Sequence, residues 1–99
     1  NPSIYNECKS LFPDFDFDSV IINKNFLCPA HKDANNVGDS IIIGLGDYTG
    51  GDFIIEDEAH CILYSPLIFN GAKNTHWTAP FTGDRYSIIL CKSKFKSIQ

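Results

Sequence analysis

The chain has 99 residues, of which 43% are hydrophobic and 20% charged, and its formal net charge is −4. This composition is typical of one small globular domain and excludes a disordered chain, while no apolar run approaches the roughly 20 residues of a membrane helix. The negative charge also argues against a protein that binds nucleic acid through a basic surface.

We expect residues 1–99 to form a single domain. The sequence opens with Asn1-Pro2 rather than a methionine or a signal peptide, which favours a domain excised from a longer chain. The four cysteines are scattered without a Cys-x-x-Cys pair, which indicates neither a zinc motif nor a disulfide framework. They are Cys8, Cys28, Cys61 and Cys91. We therefore expect buried free thiols and an intracellular protein, in the nucleus or the cytoplasm.

The first predicted element is a short helix around Tyr5 to Leu11, ended by Pro13. The "FDFD" that follows alternates as a solvent-facing strand does. Strand patterns then recur at short intervals, separated by turn residues such as Gly50-Gly51, which predict a hairpin turn. These patterns are SVIINKNFLC, DSIIIGLGDY, DFIIED, HCILYS, PLIFNG, NTHWTAP and DRYSIILCKSKF. They predict a mainly all-β fold, a mostly antiparallel sandwich or barrel with one short N-terminal helix.

One basic cluster stands near the end of the chain, in "CKSKFKS". On a strand, Lys92, Lys94 and Lys96 point the same way. A solubilising or edge-protecting strand face explains them better than a track for phosphates.

His31 and Asp33 stand two positions apart, just before an apolar strand pattern. On extended backbone their side chains face the same side, so imidazole and carboxylate can converge on one point. Taken alone, the pair fits a polar turn before a strand better than a metal site. His76, taken alone, fits a core or turn histidine.

Arg85 is the only arginine of the chain, and Ser87 follows it on the same face of the last long strand. A guanidinium beside a hydroxyl suits a carboxylate-bearing cosubstrate, because the planar fork binds bidentately. The structural alternative is a surface ion pair with Asp84.

Together these residues favour a metal site. Two histidines and one carboxylate on a face of a β fold are the arrangement that holds Fe(II) with open coordination positions. The order His-x-Asp, distal His, Arg-x-Ser resembles the Fe(II)/2-oxoglutarate-dependent dioxygenase superfamily, over about Ile21 to Lys92. This resemblance implies a double-stranded β-helix (jelly roll) that uses Fe(II), 2-oxoglutarate and O2. It also implies that the catalytic iron ligands are His31, Asp33 and His76, and that Arg85 and Ser87 bind the far carboxylate of 2-oxoglutarate.

Within that superfamily, the sequence most resembles the TET/J-binding-protein branch. The resemblance lies in "INKNFLCPAHKDANNVGDSIIIGLGDYTGG" and "FNGAKNTHWTAPFTGDRYSIIL". It implies oxidation of the 5-methyl group of a pyrimidine base in DNA, with Asn36 against the flipped base. Alternatively, Asn35, Asn36 and Gly38 are turn formers.

Two further functions remain open, because the chain has almost nothing outside the predicted core to grip duplex DNA. One is a side-chain (prolyl-type) hydroxylase of the same fold, and the other is a non-catalytic binding module. Asn23 and Asn25, on the strand before the His-x-Asp pair, either line the pocket or make structural hydrogen bonds.

Overall fold

The computed structural model describes residues 2–93, and the one helix in that range is α1 (Pro2–Leu11). Seven strands follow it: β1 (Ser19–Lys24), β2 (Ser40–Gly50), β3 (Phe53–Ile55), β4 (Glu58–His60), β5 (Leu67–Phe69), β6 (His76–Thr78) and β7 (Phe81–Cys91). The predicted short helix is therefore confirmed. The helix is neither long nor apolar enough to cross a membrane.

The strands form two sheets in which every pair is antiparallel. The larger sheet has the order β1-β7-β2-β5, and the smaller one has the order β4-β3-β6. This arrangement confirms the mainly all-β prediction with mostly antiparallel pairing. The long central strands β2 and β7 pair with Gly44 opposite Ser87 and Gly46 opposite Arg85.

The hydrophobic core is divided by the larger sheet. On one face, Ile41 and Leu90 pack with Cys8 of α1. On the other face, Ile42 packs with Phe53 of the smaller sheet. Both faces are covered, which explains why the run Ile41-Ile42-Ile43 does not alternate with polar residues.

The predicted strand HCILYS was wrong. Only His60 of this segment belongs to a strand, Leu63 forms just an isolated bridge to Gly44, and the positive φ of Tyr64 (52°) turns the chain there.

Two further local predictions were wrong. The "FDFD" segment is not a strand: Phe17 is 2% exposed and its ring lies 5.4 Å from that of Tyr5 in α1, so burial under the helix decides its conformation. Gly50-Gly51 is not a hairpin turn, because β2 and β3 belong to different sheets. The two glycines instead carry the chain from one sheet to the other, both with positive φ (74° and 68°).

The basic cluster falls largely outside the described residues, which include Lys92 but not Lys94 or Lys96. Lys92 forms an ion pair with Asp16, with Nζ 2.6 Å from Oδ2. All four cysteines are free thiols; Cys8 and Cys91 are buried as expected, whereas Cys61 is exposed.

Candidate metal centre

The loop between β1 and β2 brings His31 and Asp33 beside strand β6. His31 and His76 exchange two backbone hydrogen bonds, with N–H to O=C distances of 3.1 and 3.0 Å. The N–H of Asp33 donates to the carbonyl of Gly71 at 2.8 Å. Backbone pairing thus places side chains that are far apart in the sequence next to one another.

In both histidines a backbone carbonyl faces Nδ1, which favours the tautomer that leaves Nε2 free to bind a cation. Nδ1 of His31 donates to the carbonyl of Pro29, and Nδ1 of His76 donates to the carbonyl of Asn74, each at 2.8 Å. A hydrogen bond from one ring nitrogen determines which nitrogen carries the lone pair and orients the ring, as at protein metal sites.

The Asp33 carboxylate lies between the two imidazoles. Its Oδ1 is 3.1 Å from Nε2 of His31, and its Oδ2 is 3.1 Å from Nε2 of His76. A metal ion placed among the three side chains would be bound by Nε2 of each imidazole and by the carboxylate.

The three side chains fit a metal ion in both composition and spacing. One ligand atom from each lies within 4.8 Å of the others. Ligand atoms at right angles on an ion with bonds of about 2.1 Å are about 3.0 Å apart, close to the observed 3.1 Å. Two histidines and one carboxylate are the facial set that leaves coordination positions open for other ligands.

Burial differs between the two sides of the cluster. His76 is 3% exposed, and its ring lies 5.1 Å from that of Phe69 and 5.6 Å from that of Phe53. The side chains of His31 and Asp33 are 35% and 36% exposed. The cluster is therefore fixed from the core side and accessible from the other.

A cavity of about 260 Å³ lies against this cluster. Its polar lining includes all six residues that the sequence predicted for the site: His31, Asp33, Asn36, His76, Arg85 and Ser87. Residues from the loop, from the smaller sheet and from the larger sheet thus meet in one space between the two sheets.

Arg85 is a buried cation without an anionic partner. It is 3% exposed; its Nε donates to the carbonyl of Gly51 at 3.1 Å, and its Nη2 makes no hydrogen bond. No ion pair within residues 2–93 involves it, so the surface pair with Asp84 does not form. Burial lowers the pKa of the guanidinium from its usual value. An anionic ligand in the cavity would satisfy this group, because an unpaired buried charge is costly.

The asparagines divide between the two roles that the sequence allowed. Asn36 is half-buried and lines the cavity, while its N–H donates to the Asp33 carbonyl at 3.0 Å, so it is at once a turn residue and a cavity residue. Asn23 also lines the cavity. Asn25 is structural: its Oδ1 accepts from the N–H of Arg85 at 2.7 Å, and its Nδ2 donates to Asp84.

Three residues of the site were not predicted from the sequence. Cys28 lines the cavity, and burial raises the pKa of its thiol, with the Asp33 carboxylate adding to the shift and Arg85 opposing it. Gly71 lies behind the Asp33 carboxylate, and Gly51 lies against the Arg85 side chain. Their sequence context suggested only a buried thiol and two turn glycines, because the contacts that matter are long-range.

No protein-family model matches the chain, and no curated protein matches it.

Proposed function

We propose that the chain is an Fe(II)- and 2-oxoglutarate-dependent dioxygenase domain. One observation carries the proposal: a convergent His-Asp-His cluster and a buried arginine without an ion pair, whose Nη2 makes no hydrogen bond, line the same cavity. A metal cluster alone fits many sites, and a buried arginine alone fits any anion. Their combination fits a cosubstrate that chelates a metal at one end and carries a carboxylate at the other.

The proposed fold is a double-stranded β-helix. Two antiparallel sheets face each other across a core, with the cavity between them. His76 belongs to the smaller sheet and Arg85 to the larger one, so the cosubstrate would bind to both sheets.

His31, Asp33 and His76 are the proposed iron ligands. The carbonyls of Pro29 and Asn74 hold the two imidazoles in the tautomer needed for coordination through Nε2. Bound Fe(II) would supply O2 activation, with oxidative decarboxylation of 2-oxoglutarate to succinate and CO2 and hydroxylation of a substrate C–H bond.

Arg85 and Ser87 are the proposed anchor for the distal carboxylate of 2-oxoglutarate. Both are 3% exposed, and they lie two positions apart on β7 so that both face the cavity. The hydrogen bond from Nε to Gly51 orients the guanidinium and leaves Nη2 for the ligand. A buried, charge-assisted contact of this kind selects a dicarboxylate over a monocarboxylate.

The proposed substrate is the 5-methyl group of a pyrimidine base in DNA. The support is the sequence resemblance together with Asn36, whose half-buried side chain lines the cavity next to the metal cluster. An amide group there is suited to the donor and acceptor pattern of a base edge.

A protein side chain is the second candidate substrate. The net charge of −4 gives no general attraction to phosphates, and the only arginine is buried in the cavity. Exposed Ile21 and Phe26 also line the cavity, which suits an apolar peptide side chain.

Succinate formation tests the activity. The protein is assayed with Fe(II), 2-oxoglutarate, O2 and ascorbate, with a 5-methylcytosine oligonucleotide or a peptide pool as substrate. We expect succinate and hydroxylated product in equal amounts, lost in His31→Ala and retained in His60→Ala, since His60 pairs with Glu58 outside the cavity.

The outcomes separate the candidates. Succinate with an oxidised oligonucleotide supports the DNA substrate, and succinate with an oxidised peptide supports the protein substrate. Absence of succinate under all conditions would contradict the enzyme and favour a non-catalytic binding module.

A further inference from the structure

Strand β1 is an open edge of the larger sheet. Among the described strands it pairs with β7 alone, and it has six residues, whereas the edge strands β4, β5 and β6 have three each. Natural edge strands are usually short, or are protected by proline or by charged residues. β1 has no proline, and its one charged residue, Lys24, is its last. Ile21 and Ile22 in its middle are 45% and 48% exposed, so this edge is unprotected.

The register with β7 shows which backbone groups of β1 are unpaired. It ends with Lys24 opposite Tyr86, so the next residue, Asn25, lies opposite Arg85 and donates its N–H to that carbonyl at 2.7 Å. In an antiparallel pair, residues that bond to the partner strand alternate with residues whose backbone groups point away from it. Every second residue from Asn25 backwards therefore bonds to β7, and the residues between them face the open edge. These are Val20, Ile22 and Lys24.

The mouth of the cavity lies beside this edge. Ile21 and Asn23 of β1 line the cavity, as does Phe26 just beyond the strand, which is 51% exposed. Across the cavity, the half-exposed His31 belongs to the segment that is bonded to β6 of the smaller sheet. Residues that both line the cavity and reach the surface thus stand on β1 on one side and at the metal cluster on the other.

A strand added to β1 would lie along this mouth. Neighbouring strands are about 4.8 Å apart, and alternate side chains of the added strand stand on the same face of the sheet as Ile21 and Asn23. Every second side chain of such a segment would therefore point to the cavity side, while its backbone is held by β1. Duplex DNA has no row of N–H and C=O groups that matches a strand edge, so this surface fits a polypeptide.

We propose that β1 binds the substrate as an extended polypeptide segment, which pairs antiparallel with the open edge and directs one side chain into the cavity. Antiparallel pairing is slightly more stable per residue than parallel pairing. The exposed Asp18 precedes β1 and the exposed Lys24 ends it, so an acidic residue at the start of the segment and a basic residue at its end are complementary. This role rests on the proposed function for its chemistry, and it assigns the substrate to a protein side chain rather than to a DNA base.

A hexapeptide library provides the probe. Capped peptides with randomised positions between a first glutamate and a last lysine are selected on the immobilised parent protein, and the most enriched sequence is synthesised with a fluorescent label. We expect saturable binding by anisotropy. Exchange of the terminal glutamate and lysine should weaken binding about threefold or more at low salt, because two complementary charge pairs become repulsive.

Ile22→Pro tests the backbone pairing. Proline removes the central outward N–H and is tolerated on an edge strand where that group faces solvent. We expect peptide affinity to fall about tenfold or more, because one hydrogen bond is lost and a peptide carbonyl is left unpaired. Mn(II) affinity should equal that of the parent, which reports that the metal cluster is intact.

Ile68→Pro is the matched control. Ile68 is the middle residue of β5 at the other edge of the same sheet and is 60% exposed, and by the same alternation its N–H also faces solvent. This variant should bind the peptide as the parent does. If proline disturbs the fold, N-methylated peptides carry the test on the parent protein: methylation of one set of alternate amides abolishes binding, and methylation of the other set does not.

Hydrogen exchange measured residue by residue locates the bound peptide. The amides of Val20, Ile22 and Lys24 should exchange about tenfold or more slowly in the complex, whereas those of Ile21 and Asn23, already bonded to β7, change less. Binding without this pattern, or equal peptide affinity in Ile22→Pro and the parent, overturns the role of β1.

The remaining outcomes separate this role from the proposed activity. Protection of the same amides that rises with protein concentration in the absence of peptide assigns the edge to a second copy of the chain and overturns the proposal. An oxidised oligonucleotide with no peptide selected by the protein overturns it in favour of DNA. Peptide binding at β1 without succinate from Fe(II) and 2-oxoglutarate supports the binding strand and contradicts the dioxygenase.

Discussion

At the scale of a single residue, the absence of a side chain at Gly71 leaves the space in which the Asp33 carboxylate lies. A Cβ at position 71 would lie 2.9 Å from Oδ2 of Asp33 and 3.5 Å from Cε1 of His76. The backbone conformation of Gly71 is one that other residues adopt, so Gly71→Ala acts through this contact. We expect Mn(II) affinity to fall by about 10–100-fold, measured by calorimetry, because the carboxylate must move away from the two imidazoles.

Gly38→Ala is the matched control. Nothing lies within 4 Å of a Cβ at position 38, but φ is +70° there. The substitution therefore lowers the free energy of unfolding by about 1 kcal/mol while leaving metal affinity unchanged. Equal metal affinities in the two glycine variants would contradict the contact assigned to Gly71.

We expect burial of the Arg85 charge to destabilise the free protein, and the same charge to strengthen binding of 2-oxoglutarate. Arg85→Met removes a buried, unpaired charge and one hydrogen bond to Gly51, effects of opposite sign. We expect the free energy of unfolding without ligand to stay within about 1 kcal/mol of the parent. Binding of 2-oxoglutarate to the Mn(II)-loaded protein weakens about tenfold or more, because a charge-assisted hydrogen bond is lost.

Arg85→Lys keeps the positive charge but loses the planar guanidinium that binds a carboxylate bidentately, so this variant should bind 2-oxoglutarate with intermediate affinity. Binding is measured by calorimetry, and unfolding by urea titration. A large loss of stability in Arg85→Met without ligand, with normal 2-oxoglutarate binding, would show that Arg85 is structural.

Strand β7 serves different purposes on its two faces, which is the main feature at the scale of the element. Arg85 and Ser87 face the cavity, whereas Leu90 packs on the helix side with Cys8 and Ile41. Leu90 is 2% exposed, so Leu90→Ala should lower the free energy of unfolding by about 2–5 kcal/mol.

The same substitution should leave metal affinity unchanged at low temperature, because the helix side of the sheet does not touch the cluster. Ile22→Ala on the neighbouring strand is the control: Ile22 is 48% exposed, and its loss costs about 1 kcal/mol. Both free energies come from urea titration. Loss of metal binding in folded Leu90→Ala would contradict the separation of the two faces.

Local sequence patterns predict the helix and the strands of this fold better than they predict which elements pack against one another. The helix around Tyr5 to Leu11 and the strand patterns depend on neighbouring residues, and the described chain contains both. The turn at Gly50-Gly51 was predicted wrongly because a glycine pair marks a change of direction without showing which sheet follows. Phe17 lies in an alternating segment, yet its burial depends on α1, which periodicity alone does not place.

The same limit applies to the site, where local spacing predicts pairs of residues but not their long-range contacts. The spacing of His31 and Asp33 and of Arg85 and Ser87 predicts pairs on one face, and the structure places both pairs in one cavity. Cys28 and Gly71 were not predicted as site residues. Each is placed there by a backbone hydrogen bond to a residue that is distant in the sequence, Thr78 for Cys28 and Asp33 for Gly71, and sequence periodicity does not reveal such pairs.

At the scale of the whole molecule, the loop before β2 lies against the smaller sheet at the proposed metal site. Three backbone hydrogen bonds join this loop to β6, two between His31 and His76 and one from Thr78 to Cys28, and a fourth joins Asp33 to Gly71 in the segment between β5 and β6. An ion on the side chains of the same segments adds a second connection, which unfolding must break. Bound metal should therefore stabilise the entire domain.

The size of the effect follows from linkage. An ion present at 100 times its dissociation constant adds about 2.7 kcal/mol, which raises the melting temperature of a domain this size by about 10–20 °C. Chelation reverses the shift, and Asp33→Asn abolishes it because the neutral amide no longer balances the ion. Differential scanning calorimetry with Mn(II) measures all three.

Hydrogen exchange then locates the stabilisation. Under conditions where exchange proceeds through local opening, Mn(II) should slow exchange most in residues 28–37 and in β6, where its ligands are anchored, and least in α1 on the far side of the larger sheet. This pattern distinguishes a bound ion at His31, Asp33 and His76 from metal that adheres to exposed carboxylates. Equal protection in α1 and β6, or protection that persists in Asp33→Asn, would contradict the assignment of the site.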